Sequence, residues 1–153
     1  MTTALTKKGM NQSTSSNWVN GQKIYTKAGL TPQGVKNYQL LMNIGVGVRL
    51  VSADVNKGIV EMESGHTIHA IVKNKIVGKE GLNLIWKELM NIRQTMINNK
   101  LAHTDIKPLN VAVKFLSQDL KTFRAFLIDN EDMRRYGEDR LVGTPGANTN
   151  GNP

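Results

Sequence analysis

The stretch LAHTDIKPLNVAVKFLSQDLKTFRAFLIDN, residues 101–130, decides how the rest of the chain is read. Its middle holds two apolar runs, Val111 to Leu116 and Phe123 to Ile128, around the polar segment Ser117 to Thr122. That pattern predicts a β-hairpin with an extended loop. Before the hairpin lies a short polar loop, His103 to Asn110, which concentrates a carboxylate (Asp105), an ammonium (Lys107) and an amide (Asn110). Asp129 ends the second strand, and the fold-back of a hairpin allows its carboxylate to lie beside that loop. Such groups together suit proton abstraction, phosphate neutralisation and magnesium binding, because magnesium favours carboxylate, amide and phosphate oxygens. Upstream, Leu82, Ile85, Leu89, Ile92 and Met96 fall three or four apart, so Glu80 to Asn99 is the longest predicted helix, with one stripe facing a core.

Further towards the N-terminus the elements become shorter. Asn20-Gly21 between Trp18-Val19 and Gln22 to Lys27 is the signal for a two-residue hairpin, because both turn positions need positive φ. Thr31-Pro32 supplies an N-cap and a proline at the first helical position, and Val35, Tyr38 and Leu41 follow at helical spacing. A helix over about Pro32 to Asn43 is expected, stopped by Gly45 and Gly47. Strands should follow around Val48 to Val51 and Ile59 to Met62, joined by a turn over Asp54 to Gly58. Residues 1–17 are rich in Ser, Thr, Asn, Gln and Lys and read as a disordered lead-in.

Composition narrows the function classes. A chain of 153 residues suits one compact domain. It has no long apolar run and no secretory pattern in its first thirty residues, so a soluble intracellular, cytoplasmic protein without membrane association is the expectation. The absence of cysteine excludes disulfides, thiolate zinc sites and a cysteine nucleophile. The formal charge of +8 favours anionic partners, but the basic residues are dispersed and the aromatic residues are too few for a single-strand stacking platform. A nucleic-acid partner is therefore not the expectation.

His103-Thr104-Asp105-Ile106-Lys107-Pro108-Leu109-Asn110 resembles the protein kinase catalytic loop, H-R-D-L-K-P-x-N, departing mainly at Thr104. The resemblance implies a reduced α+β, protein kinase-like fold. Its abbreviated N-lobe sheet and helix would occupy 18–63 with the hinge, and a truncated C-lobe 64–145, followed by a flexible tail at 146–153. It implies that Asp105 orients the substrate hydroxyl and Lys107 stabilises the transferred phosphoryl group, as the catalytic pair. Asn110 and Asp129 would hold Mg²⁺. Ile24-Tyr25-Thr26-Lys27 resembles the V-A-I-K strand, which makes Lys27 the contact to the ATP α- and β-phosphates. Backbone groups at Glu61 and Met62 would meet the adenine. The implied reaction is transfer of the ATP γ-phosphate to Ser or Thr of a protein substrate, a choice supported by Lys107-Pro108. Gly143-Thr144-Pro145 resembles the close of an activation segment.

The departures define the alternatives. No Gly-rich loop precedes Lys27. The helix that should supply its glutamate partner offers Lys36, Asn37, Tyr38 and Gln39. Asp129-Asn130-Glu131 replaces D-F-G, and no A-P-E follows. These favour a pseudokinase or kinase fragment that binds a partner kinase; a compact small-molecule kinase also tolerates a degenerate glycine loop. His103 reads as structural. His66 and His69 lack a third ligand for a metal. Arg134 and Arg135 suit either an acidic group or a solvated charged loop.

Overall fold

The structure, a computed structural model, describes residues 12–103, 106–135 and 141–142. Strand β1 (Ser13–Val19) turns at Asn20-Gly21 into β2 (Gln22–Ala28). The two turn residues have φ of 52° and 78°, the pair of left-handed conformations that a tight hairpin requires. The register then runs without slip from Val19↔Gln22 back to Ser13↔Ala28. Residues 13–17, expected within a disordered lead-in, are therefore strand. Their polar side chains are no obstacle, because β1 is an exposed edge whose pairing is set by the turn rather than by burial.

Helix α1 (Pro32–Asn43) is capped by Thr31, whose hydroxyl accepts from the Gly34 amide at 2.9 Å. It buries Val35 and Tyr38 against β3 (Leu50–Asp54) and β4 (Ile59–Glu63), while Leu41 is buried in the second core, with Ile85, Ile92 and Leu127. The antiparallel sheet has the order β1-β2-β4-β3, so α1 is the crossover between β2 and a non-adjacent edge strand. Gly47 lies where a Cβ would come within 2.8 Å of the Leu41 carbonyl carbon, which allows the connector to press against α1. That connector is stitched to the hairpin: Val48 N donates to Leu127 O at 3.0 Å, and Leu127 N to Val46 O at 2.7 Å.

The second half begins with β5 (His66–Thr67) and α2 (Ile68–Lys73), then α3 (Lys79–Asn98), β6 (Leu101–His103) and the hairpin β7 (Val111–Phe115) and β8 (Phe123–Leu127). Strands β9 (Met133–Arg135) and β10 (Leu141–Val142) complete a three-stranded sheet, β10-β9-β6, beside a second one, β5-β7-β8. The long helix buries Ile85, Ile92 and Met96, part of its predicted stripe. Alternation along the hairpin sends Val111, Val113, Ala125 and Leu127 into the α3 core, and Ala112 and Phe126 into the core beneath the N-terminal sheet. One hairpin thus forms a wall of both cores. The chain is a mixed α+β protein with antiparallel sheets and three helices among the described residues. Within those residues no helix is long and apolar enough to cross a membrane.

Candidate functional site

Between the N-terminal sheet and the hairpin lies a cleft of about 340 Å³, within the range that small-molecule sites occupy. Tyr25 and Lys27 of β2, Met62 of β4, the connector Ser64-Gly65 and Asp129 are among its walls. Lys27 is the side chain on which the most distant parts of the chain converge. Its ammonium donates to Asp129 Oδ1 at 2.8 Å and to Glu131 Oε2 at 2.7 Å. Asp129 follows β8 directly and adopts φ of 63°, a left-handed conformation that aspartate tolerates better than most residues. Strain of this kind persists only where surrounding contacts hold it, and here the Leu127 ladder bonds and the Lys27 ion pair do so.

Glu131 is buried, and its three functional atoms are all engaged. The Tyr38 hydroxyl donates to Oε1 at 3.0 Å, Lys27 to Oε2, and the Asn37 side-chain amide to its backbone carbonyl at 2.6 Å. Helix α1 therefore contributes a phenol and an amide to the cluster, while the carboxylate comes from the segment after β8. Helix α1 offers Lys27 no acid, as its sequence implies, yet the ammonium does not stand unpaired: two carboxylates reach it from beyond β8. Sequence reading missed Glu131 because it looked for the acid on the helix. No local periodicity marks it, because residues 128–131 follow the end of β8 and the left-handed Asp129 breaks extended alternation.

Lys27 shares its single ammonium between two carboxylates. Burial pushes the Glu131 carboxyl above the ordinary glutamate range, and the neighbouring Asp129 adds to this against the opposing pull of Lys27. Burial alone would lower the Lys27 value, but attraction to Glu131 and Asp129 outweighs it and the ammonium is held above its ordinary range. The Tyr38 phenol is pushed well up by burial and by both carboxylates, so it stays a donor.

The remaining predicted residues are placed as follows. Asn110 is buried; its carbonyl accepts from Ile128 N at 2.9 Å, which brings it to the residue preceding Asp129. The turn that holds it is closed by its own amide on Lys107 O at 2.8 Å, and Lys107 is exposed. Asp105 and Thr104 lie outside the described residues, as do Gly143-Thr144-Pro145, residues 1–11 and the tail 146–153. Met62 lines the cleft, whereas the Glu61 side chain accepts from Ser52 Oγ at 2.5 Å. Residues 61 and 62 sit in the central strand, paired to β2 on one side and β3 on the other. The backbone next free of that ladder is Ser64-Gly65, and a Cβ on Gly65 would lie 2.8 Å from Val113 O, so the connector packs directly on the hairpin.

His103 is buried with Nε2 3.1 Å from Asn130 Oδ1, and Asn130 Nδ2 donates to Leu127 O at 2.8 Å. This supports the structural reading of His103. His66 and His69 belong to β5 and α2, and no group of three metal-ligating side chains gathers among the described residues. Compared with known proteins, the sequence matches no family model, and no curated protein matches it significantly.

Proposed function

We propose that the cleft binds ATP with magnesium and that the protein transfers the γ-phosphate to a Ser or Thr hydroxyl of a protein substrate, on a reduced protein kinase-like fold. The observation that carries this reading is the ion pair between Lys27 and Asp129, 102 residues apart in the chain and meeting in a cleft of nucleotide size. The likeness of Ile24-Tyr25-Thr26-Lys27 to the V-A-I-K strand implies the phosphate contact for Lys27, and the catalytic-loop likeness with the position of Asp129 after the hairpin implies the magnesium role. The order of parts agrees with it: sheet and helix, connector, long helix, polar loop, hairpin, aspartate.

In this reading Tyr25, Met62 and Ala112 offer an apolar seat for a planar base, with Ser64-Gly65 at its edge. Lys27 turns part of its charge from the carboxylates to the α- and β-phosphates. Asn110 and Asp129 supply hard oxygen donors on bonded neighbouring segments, a fit for an ion that takes few protein ligands and fills its shell from phosphate and water. Magnesium would add charge neutralisation on the phosphates. Asp105 orients the attacking hydroxyl and accepts its proton, and Lys107 lies on the exposed side of the loop, where a substrate would approach. Catalysis of this type depends on positioning and charge stabilisation, so few side chains suffice.

A second reading, a kinase-like binding module without turnover, is favoured by one observation. Lys27 is already held by two buried or half-buried carboxylates, so nucleotide phosphates must compete for it. A magnesium-dependent ATP binding and turnover assay on wild type, Asp105→Ala and Asp129→Ala separates the readings. Asp129→Ala should lose magnesium-dependent ATP binding. Asp105→Ala should bind ATP but turn over about 100-fold more slowly or worse. ATP binding by wild type without turnover selects the binding module, and turnover retained in both variants removes the proposed site.

A further inference from the structure

The buried charges of the described residues are satisfied with one exception. Glu63 is met by Lys114 at 3.3 Å and Arg124 at 3.2 Å, and Glu131 by Lys27. Arg134, in the middle of β9, is only 4% exposed, yet its Nε and Nη2 have no hydrogen-bond partner. Its neighbours in the ladders are Leu141 of β10 and Ala102 of β6, and the Ala102 methyl offers no acceptor. Met133 beside it belongs to the α3 core, so alternation turns Arg134 to the other face of the sheet.

A buried guanidinium without acceptors is costly, and proteins rarely keep one without a use. The identity of the two atoms narrows that use. Nε–H and Nη2–H point the same way from one edge of the planar group, the edge that grips two oxygens of one anion side by side. We infer that Arg134 is an oxyanion receptor, which takes two oxygens of a single phosphate or carboxylate group through its Nε–Nη2 edge. A bound oxyanion ties β9 more firmly between its neighbours. Because Met133 pairs with His103, and His103 bonds Asn130, that tightening reaches the segment that carries Asp129 and Glu131. The inference does not rest on the proposed phosphoryl transfer.

The test is thermal unfolding and isothermal calorimetry of the whole chain with inorganic phosphate and, separately, acetate, at ionic strength held constant with sodium chloride. Wild type should bind one equivalent of at least one anion and gain about 3 °C or more in Tm, with saturation. A response to phosphate alone assigns a phosphate ester as the natural group; a response to acetate assigns a carboxylate. Arg134→Met should lose the saturable response and, without anion, melt at or above the wild-type temperature, since it removes an unsatisfied buried charge. Arg134→Lys keeps the charge without the forked edge and should also lose the response, which decides the matter if Arg134→Met does not fold. No saturable binding by wild type, or an equal response in Arg134→Lys, overturns the inference.

Discussion

Glu131 holds Lys27, Tyr38 and, through its backbone, Asn37, so its two obvious replacements should behave differently. Glu131→Gln keeps an acceptor for the Tyr38 hydroxyl and leaves Asp129 to pair with Lys27; a loss of about 1 kcal/mol is expected. Glu131→Ala leaves a buried phenol and half an ammonium shell unsatisfied and should cost about 3 kcal/mol in urea unfolding. The pH dependence distinguishes them further. Because the folded carboxyl is held above its unfolded value, the native state binds this proton more tightly. The contribution to stability is present in full below the ordinary glutamate range and declines as pH rises through the folded value. Wild type should therefore lose stability relative to Glu131→Gln as pH rises from about 4 towards neutrality. A constant difference across that range would mean that Glu131 does not titrate as its burial beside Asp129 requires. Tyr38→Phe, which removes only the hydroxyl, should cost about 1 kcal/mol and leave Lys27 in place.

At the scale of elements, the turns rather than the strands carry the sharpest local requirements. Gly21 and Gly58 both have positive φ, 78° and 67°, but their surroundings differ: a Cβ on Gly21 meets nothing within 4 Å, and one on Gly58 would lie 2.2 Å from the Leu30 carbonyl oxygen. Gly21→Ala should cost only the backbone conformation, about 1 kcal/mol. Gly58→Ala should cost on the order of 2 kcal/mol or more, since it also breaks the Leu30 N to Gly58 O bond between β4 and the α1 entry. Equal losses in chemical denaturation would show that the close approach at Leu30 is not maintained in solution. These elements also mark how far the sequence can be read. The bounds of α1 follow from its cap and periodicity, and those of α3 and the β7–β8 hairpin, to within a residue, from periodicity and apolar runs, signals that act within a few residues. Residues 13–17 of β1 escaped because their side chains are polar and their pairing is inherited from the turn, whereas Trp18-Val19 were legible as one arm of the hairpin. The short β5, β6 and β9 escaped because two or three residues carry no period. Lys27 and Asp129 were legible through a motif resemblance, whereas Glu131 depended on a contact 104 residues away that no local pattern encodes.

At the scale of the molecule, the β7–β8 hairpin makes two cores into one cooperative unit. Phe126, 1% exposed, fills the core beneath the N-terminal sheet, while its neighbours Ala125 and Leu127 fill the core against α3. The same hairpin supplies Lys114 and Arg124 to Glu63 at the end of β4, and Gly65 packs on Val113. A protein with independent halves would place apolar wall residues on one face only; here both faces are buried, so loss of one core exposes the back of the other. The two tryptophans lie on opposite sides of this wall, Trp18 on β1 and Trp86 on α3. Trp18→Phe and Trp86→Phe variants each retain one reporter, and both positions are exposed enough that the substitutions should be mild. Their urea transitions should coincide with each other and with circular dichroism. Adding Phe126→Ala should lower stability by about 3–5 kcal/mol, as large-to-small changes in filled cores do. It should shift both reporters together, although Phe126 touches only the sheet-side core. Were the Trp86 transition to stay in place while the Trp18 transition moved, the hairpin would be a boundary between two folding units, and the cleft that holds Lys27 and Asp129 would open without unfolding the α3 core.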